Sequence, residues 1–503
     1  MKFTKPSKET IVYIICCLYI LLFTYAAVSK LLDFENFQVQ LRQSPLLSSI
    51  AGWVSWLVPV SEIAFSICLF FYSTRRLTLY ASFVLMVMFS AYIYIILNYS
   101  DFVPCSCGGI LESMDWTQHL IFNLVFVLLA GIALILPQHR SQEPSFPNRI
   151  FTAIALCCSG IFGIAIVAGL FVWSEDLLHH DNNFTRRFEA HAAIEKKDID
   201  LKYNSYYFAG FGGNRIYLGN SSAPALITTV DTTFTVTDTS IIALDRERLA
   251  FRSVQVKVSP PHFYVMDGTV PCIFKGSVTD WKAGLKVKSG AYFELPQLTS
   301  ENNMVFRITD PSTNTNVLGT MDFVTSEEVR YNNGLLQKQI DGVFDTDGTL
   351  LFSESLQKIV YVYYYRNEYI VTDRNLKLQY RGRTIDTTTQ AAIKVAKLSV
   401  RQQSKMNAPP QMVNKSTAVN RNLLFVQSEL PGHYESKVMW KTAAIVDVYN
   451  IEKDAYLFSF YVYNVKGKKM RKFMVTDTQL FALIGEHLVS YELAPSIKNA
   501  YIK

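Results

Sequence analysis

A chain of 503 residues with 50% hydrophobic and only 18% charged side chains is not a single soluble domain, since soluble proteins carry about a quarter charged residues. The 48 basic and 42 acidic residues leave a formal charge of +6, with no basic run or stripe of the kind that grips nucleic acid. Eight cysteines, concentrated near the N-terminus, are too few for a disulfide scaffold. Positions 1–175 are almost free of charge outside short loops, whereas 176–503 read like an ordinary globular chain.

Five apolar windows follow one another: Ile11 to Ser29, Gln43 to Thr74, Leu77 to Ser100, Trp116 to Gln138 and Ile150 to Ser174. Each is long enough to span a bilayer, which takes about 20 apolar residues. Lys30 and Asp33 after the first window, in place of small residues, argue against a cleaved signal peptide. Lys2, Lys5, Lys8, Arg75, Arg76, Arg140 and Arg149 lie on one side of the resulting topology, while the loop 99–116 has acidic residues and no Lys or Arg. Positive charge stays cytoplasmic, so the N-terminus is expected inside. The loop 101–115 and everything after residue 176 are expected outside.

The residues Ala-Val-Ser-Lys-Leu-Leu-Asp-Phe (27–34), Phe37, Ser44-Pro45, Pro59-Val-Ser-Glu62, and Pro104-Cys-Ser-Cys-Gly-Gly109 followed by Trp116 and His119 resemble, in order and spacing, MauE/DoxX-type membrane proteins. The resemblance covers residues 10–137. It implies a redox-associated four-helix membrane module in a bacterial cytoplasmic (inner) membrane. Periplasmic thiol–disulfide chemistry comes from the MauE side, and quinone-linked oxidation from the DoxX side. The loop departs from the pattern in carrying Gly109 where MauE-type loops often have an aromatic.

Cys105 and Cys107 sit in a short loop on the expected oxidising side, where disulfides persist. A Cys-x-Cys bridge closes a small ring, and strained, exposed bridges are the labile or catalytic ones. Either an exchange pair or a plain structural bridge fits. Two thiolates and one histidine fall short of a closed zinc site, so no metal is expected. Glu62 stands near mid-membrane, where an ionisable group is costly and calls for a function or a partner; Lys30 is within snorkelling reach. His119 lies one turn from Asn123 and on the same helix face. It could relay protons to a quinone or to the thiols, or merely cap a loop. Trp116 and Asn123 complete the expected cofactor-contacting set. Cys16, Cys17, Cys68, Cys157 and Cys158 read as packing residues inside spans, and Cys272 stands alone in the soluble half.

After a polar linker expected at 176–200, short apolar and aromatic strands recur from Tyr206, with unit starts about 40 to 55 residues apart. One gap is twice as long, and a poorly marked unit is placed in it around Thr384 to Val400. Repeats of this length with four short strands each indicate a β-propeller of about seven blades, six or eight being alternatives; a sandwich array is the runner-up. Asp345-Thr-Asp-Gly-Thr349 departs from a calcium loop and reads as a hairpin turn. Gly210-Phe-Gly-Gly213 also reads as a turn.

The expected architecture is multidomain. An all-α membrane four-helix bundle (1–140) is followed by a fifth transmembrane helix (141–175), a linker and an all-β propeller (201–503). The expected function is a membrane-embedded, quinone-linked thiol–disulfide oxidoreductase-like protein. Cys105, Cys107, Glu62 and His119 carry the chemistry, a membrane quinone is the one candidate cofactor, and the propeller binds a periplasmic client or thiol partner. The alternative is a non-enzymatic membrane anchor for a propeller scaffold.

Overall fold

The computed structural model describes residues 8–44, 47, 50–99, 115–136, 146–178, 183–245, 249–288, 290–324, 329–398 and 403–502. The chain divides into two units, one of Met1–His180 with Ile393–Pro410, the other of Asp181–Ala392 with Gln411–Lys503.

In the first unit the apolar windows become helices. In chain order these are α1 (Lys8–Leu32), α2 (Phe34–Gln43), α3 (Ala51–Phe70), α4 (Tyr72–Tyr99), α5 (Trp116–Ile135) and α6 (Phe146–Leu178). All but α2 are long and apolar enough to cross a membrane. Their outward faces carry Leu21, Leu57, Phe70, Leu128 and Phe151, as a lipid solvent requires. With no hydrophobic drive between helices in lipid, close packing must hold them. Small residues provide it: Ala26, Ala27, Ala130 and Ala133 are buried, and Gly160 and Gly163 of α6 lie against Phe83, Val84 and Met88 of α4. Tyr19 threads the centre, its hydroxyl donating to the Phe126 carbonyl at 2.6 Å.

Two features depart from the expected four-plus-one bundle. The segment between the first two apolar windows holds a further helix, α2, which buries Phe37 and Leu41 against Ala51. Between the fourth and fifth blades the chain inserts a hairpin, Val395–Leu398 paired with Gln403–Met406, that groups with the helices. Lys405 Nζ donates to Asn36 Oδ1 at 2.7 Å, and Arg42 Nη1 donates to Asn407 Oδ1 at 3.3 Å, so the hairpin is pinned to α2. The unit expected around Thr384 to Val400 is therefore no blade. The inserted segment Ile393–Pro410 lengthens the spacing between blades four and five, which imitated one.

The second unit is a propeller. Among the described residues its strands form six four-stranded antiparallel blades, over 206–241, 254–288, 294–332, 348–383, 414–463 and 470–493, the last completed by Ala193–Asp200. The first two blades are joined edge to edge by one parallel bridge between Gly210 and Val258. That closing strand pairs Ala193 with Leu493 and Asp200 with His487, so the end of the expected linker instead latches the ring. Every neighbouring pair of blades shares an apolar cluster. Tyr264 and Met266 meet Phe306 and Met321, Val360 and Tyr369 meet Leu424 and Tyr449, and Ile216 and Leu218 meet Phe481 and Leu483 across the closure. The ring thus removes the open sheet edges of an array. Tyr264, Tyr361, Tyr363, Tyr369, Tyr449 and Tyr491 are fully buried and pack between blades.

Blade turns are tight. A Cβ on Gly268 would stand 1.7 Å from the Phe293 carbonyl oxygen, which is fixed backbone. Gly268→Ala is expected to destabilise the propeller by about 1–3 kcal/mol, the range for overpacking, read as a lower denaturant midpoint. Asp345 is not in a hairpin turn: its buried carboxylate accepts from the backbone N–H groups of Gln339, Ile340, Asp341 and Gly342 and shapes the loop entering the fourth blade. Gly210 and Gly212 lie inside the strand Tyr206–Gly212, and only Gly213, at φ +57°, is in the turn.

Candidate functional site

The helical unit encloses a cavity of about 380 Å³. Its polar groups come from α1, α3 and α5. Lys30 Nζ donates to Glu62 at 2.7 and 3.0 Å, with Glu62 1% exposed and the Lys30 side chain 15%. The ammonium also lies 5.9 Å from the Phe37 ring. Pro59 lies inside α3, one turn before Glu62, where it removes one backbone hydrogen bond. Ser66 Oγ donates to the Glu62 carbonyl at 3.0 Å.

α5 enters the site from a firm start. Asp115 caps it, accepting from Thr117 N at 2.7 Å, and Gln118 Oε1 accepts from Asp115 N at 3.3 Å, a reciprocal capping box. From there Trp116, His119 and Asn123 recur at i, i+3 and i+7, which places them on one helix face. All three line the cavity. The Trp116 and His119 rings are stacked at 6.2 Å, and Asn123 is 3% exposed. His119 Nδ1 is buried and has no hydrogen-bond partner among the described residues. A buried polar atom left without a partner is costly, and here it sits in the wall of a space large enough to supply one.

The rest of the wall is apolar: Phe23 and Ala26 of α1, Phe37 and Leu41 of α2, Val54 and Val58 of α3, Met86 and Phe89 of α4, and Val167 and Leu170 of α6. The fifth span, expected outside the four-helix bundle, therefore contributes to the cavity, and so does α2. The residues fit a quinone-sized, mostly apolar ring compound, for which a polar group or two fixes orientation and the apolar wall supplies the contact.

Four of the six expected site residues, Glu62, His119, Trp116 and Asn123, are thus brought together in one place. The other two, Cys105 and Cys107, lie outside the described residues. The remaining six cysteines are free thiols, with Cys272 buried in the propeller. Among the described residues no group of three His, Cys, Asp or Glu side chains is placed to hold a metal ion. The contributions of α2 and α6 were missed from the sequence; the one signal for α2 was the pairing of Phe37 with Leu41 one turn apart.

Solved structures similar to this chain include a member of the DUF4221 family from Bacteroides vulgatus (13% identity, TM-score 0.41, covering 61% of this chain and 98% of that one). Others are BamB from Moraxella catarrhalis (10%, TM-score 0.34, 60% and 100%) and virginiamycin B lyase from Staphylococcus aureus (6%, TM-score 0.36, 59% and 99%). At these scores they carry no functional argument, and the propeller stands on its own sheet order and closure. No curated protein matches the chain. Residues 8–136, about a quarter of the chain, match the model of methylamine utilisation protein MauE.

Proposed function

We propose that the helical unit is a thiol–disulfide module of a bacterial inner membrane, in which Cys105 and Cys107 exchange with a partner thiol and the cavity takes a membrane quinone. The observation that carries this reading is the convergence of Lys30–Glu62, Trp116, His119 and Asn123 on one otherwise apolar cavity, with the two cysteines about ten residues before α5. His119 and Asn123 would hold the polar edge of a quinone, and Trp116 and Phe122 would lie against its ring. When bound, a quinone supplies a sink for two electrons and two protons. The wall residues exclude water. The Lys30–Glu62 pair sets a carboxyl group in the cavity wall, and such a group can take up or release a proton at Glu62 Oε1 or Oε2. The loop charges support a periplasmic side for Cys105, Cys107 and the propeller, and the propeller is proposed to bind a client protein and present it to the pair.

Exchange proceeds by thiolate attack on a disulfide sulfur, through a mixed disulfide that a second thiol resolves. Removing one cysteine therefore traps the intermediate. Cys105→Ser or Cys107→Ser is expected to accumulate a disulfide-linked complex, seen by non-reducing electrophoresis and lost on reduction, that the double variant does not form. If neither single variant traps a partner, and loss of both cysteines changes no phenotype, the protein is an anchor for its propeller and the exchange reading fails.

A further inference from the structure

One end of the fifth blade is built from segments tied to the membrane-crossing chain. Asn414 pairs with Ser428 and Ala443 with Tyr463, so Val413, the loop after Ser428 and the turn after Tyr463 share that end. The short helix α7 (Lys437–Thr442) lies in this loop. Phe184 is buried there with Val413, Leu430 and Ile385, and its carbonyl accepts from His433 N at 2.7 Å. Arg186 reaches Glu435 at 2.7 Å.

Phe184 is only six residues beyond Leu178, the last residue of α6, a reach of at most about 20 Å for an extended chain. α6 itself runs six residues past its apolar window, which ends at Val172. That is about 9 Å of helix, comparable to a headgroup layer. The hairpin that groups with the membrane helices departs after Ala392 and returns at Gln411, just before Val413. Both connections to this end come from the unit whose helices cross a bilayer, and a bilayer surface favours aromatic and basic side chains.

Its composition matches such a surface. Tyr434 is 90% exposed, Val438 68% and Tyr463 55%, and α7 buries no residue. Lys437, Lys441, Lys466 and Lys468 are exposed around them. Asn464 joins the two loops, donating from its backbone N to the Thr442 carbonyl at 2.8 Å and from Nδ2 to the Lys441 carbonyl at 2.9 Å. The stretches 431–442 and 464–469 contain one carboxylate, Glu435, and it is occupied by Arg186 and by the Trp440 indole at 2.8 Å. Aromatic rings with lysines and no free acid are what a headgroup region favours.

We propose that this end of the fifth blade is a lipid-facing surface, which rests Tyr434, Val438 and Tyr463 in the headgroup layer and sets its lysines against anionic phosphates. The test is photocrosslinking of the full-length protein in nanodiscs of phosphatidylcholine and phosphatidylglycerol. A benzophenone amino acid is placed at Val438 or Tyr434. Leu57, 67% exposed on α3, serves as the membrane control, and Lys453, at the opposite end of the same blade, as the solvent control. Irradiation should attach lipid, identified by peptide mass, at 438, 434 and 57 and not at 453. Replacing the four lysines with glutamine should reduce the phosphatidylglycerol adduct at 438 several-fold. Lipid at 57 with none at 438 and 434 would overturn the proposal, as would adducts at 438 and 434 to protein in place of lipid.

Discussion

Glu62→Ala is expected to destabilise the helical unit by about 3 kcal/mol, because it strands the Lys30 ammonium. Removing one partner of a buried pair costs about 3–5 kcal/mol, and the lower end applies because the Lys30 side chain keeps 15% exposure. Thermal unfolding in detergent should show the loss as a lower midpoint. The double variant Glu62→Leu with Lys30→Met, which removes both charges, should recover most of it, since a buried pair replaced by apolar groups is often neutral. Glu62→Gln keeps a hydrogen-bond acceptor for Lys30 but cannot carry a proton. It should therefore fold better than Glu62→Ala while losing redox turnover. Equal stability of Glu62→Ala and the parent would show that the pair holds nothing together.

Arg186→Ala should have the other large effect, at about 4 kcal/mol. The guanidinium is fully buried and makes five hydrogen bonds. Two go to Asp447, at 2.7 and 3.1 Å; the others go to Glu435, Ser428 and the Leu430 carbonyl. Burial works against its charge, but Asp447 and Glu435 outweigh that and hold it more firmly protonated than usual. Without it, Asp447 remains a carboxylate 1% exposed, left with Ser459 Oγ at 2.5 Å. Arg186→Lys keeps the charge but loses the planar fork and should fall between the two. Limited proteolysis should then open the chain at 183–192 before the blades unfold; an unchanged cleavage pattern would contradict a role for Arg186 in holding this segment down.

Much of this arrangement was legible beforehand, for identifiable physical reasons. The spans show because lipid admits only long apolar helices, and the Lys30–Glu62 pair shows because an acid at mid-membrane needs a partner. The propeller shows because alternating strands recur at one period. Other parts depend on tertiary context. Ten residues of α2 carry too few apolar positions to announce a buried helix until Ala51 and the cavity lie beneath them. Val167 and Leu170 look like any lipid-facing residues of a fifth span. The blade count was blurred by an inserted hairpin that lengthens the spacing between blades four and five and whose Lys405 bonds to α2. The strand tyrosines pattern alike whether they face a partner or a neighbouring blade; only ring closure decides.

The redox role proposed for the membrane unit is tested most directly by counting free thiols at Cys105 and Cys107. The reduced protein in nanodiscs is kept anaerobic, and the alkylated peptide is weighed before and after a membrane quinone is added. Two free thiols should fall to none as two electrons and two protons pass to form one quinol per protein, and His119→Ala or Asn123→Ala should slow the change. If both thiols stay free at every quinone concentration, the cavity and the cysteine loop do not form a redox pair.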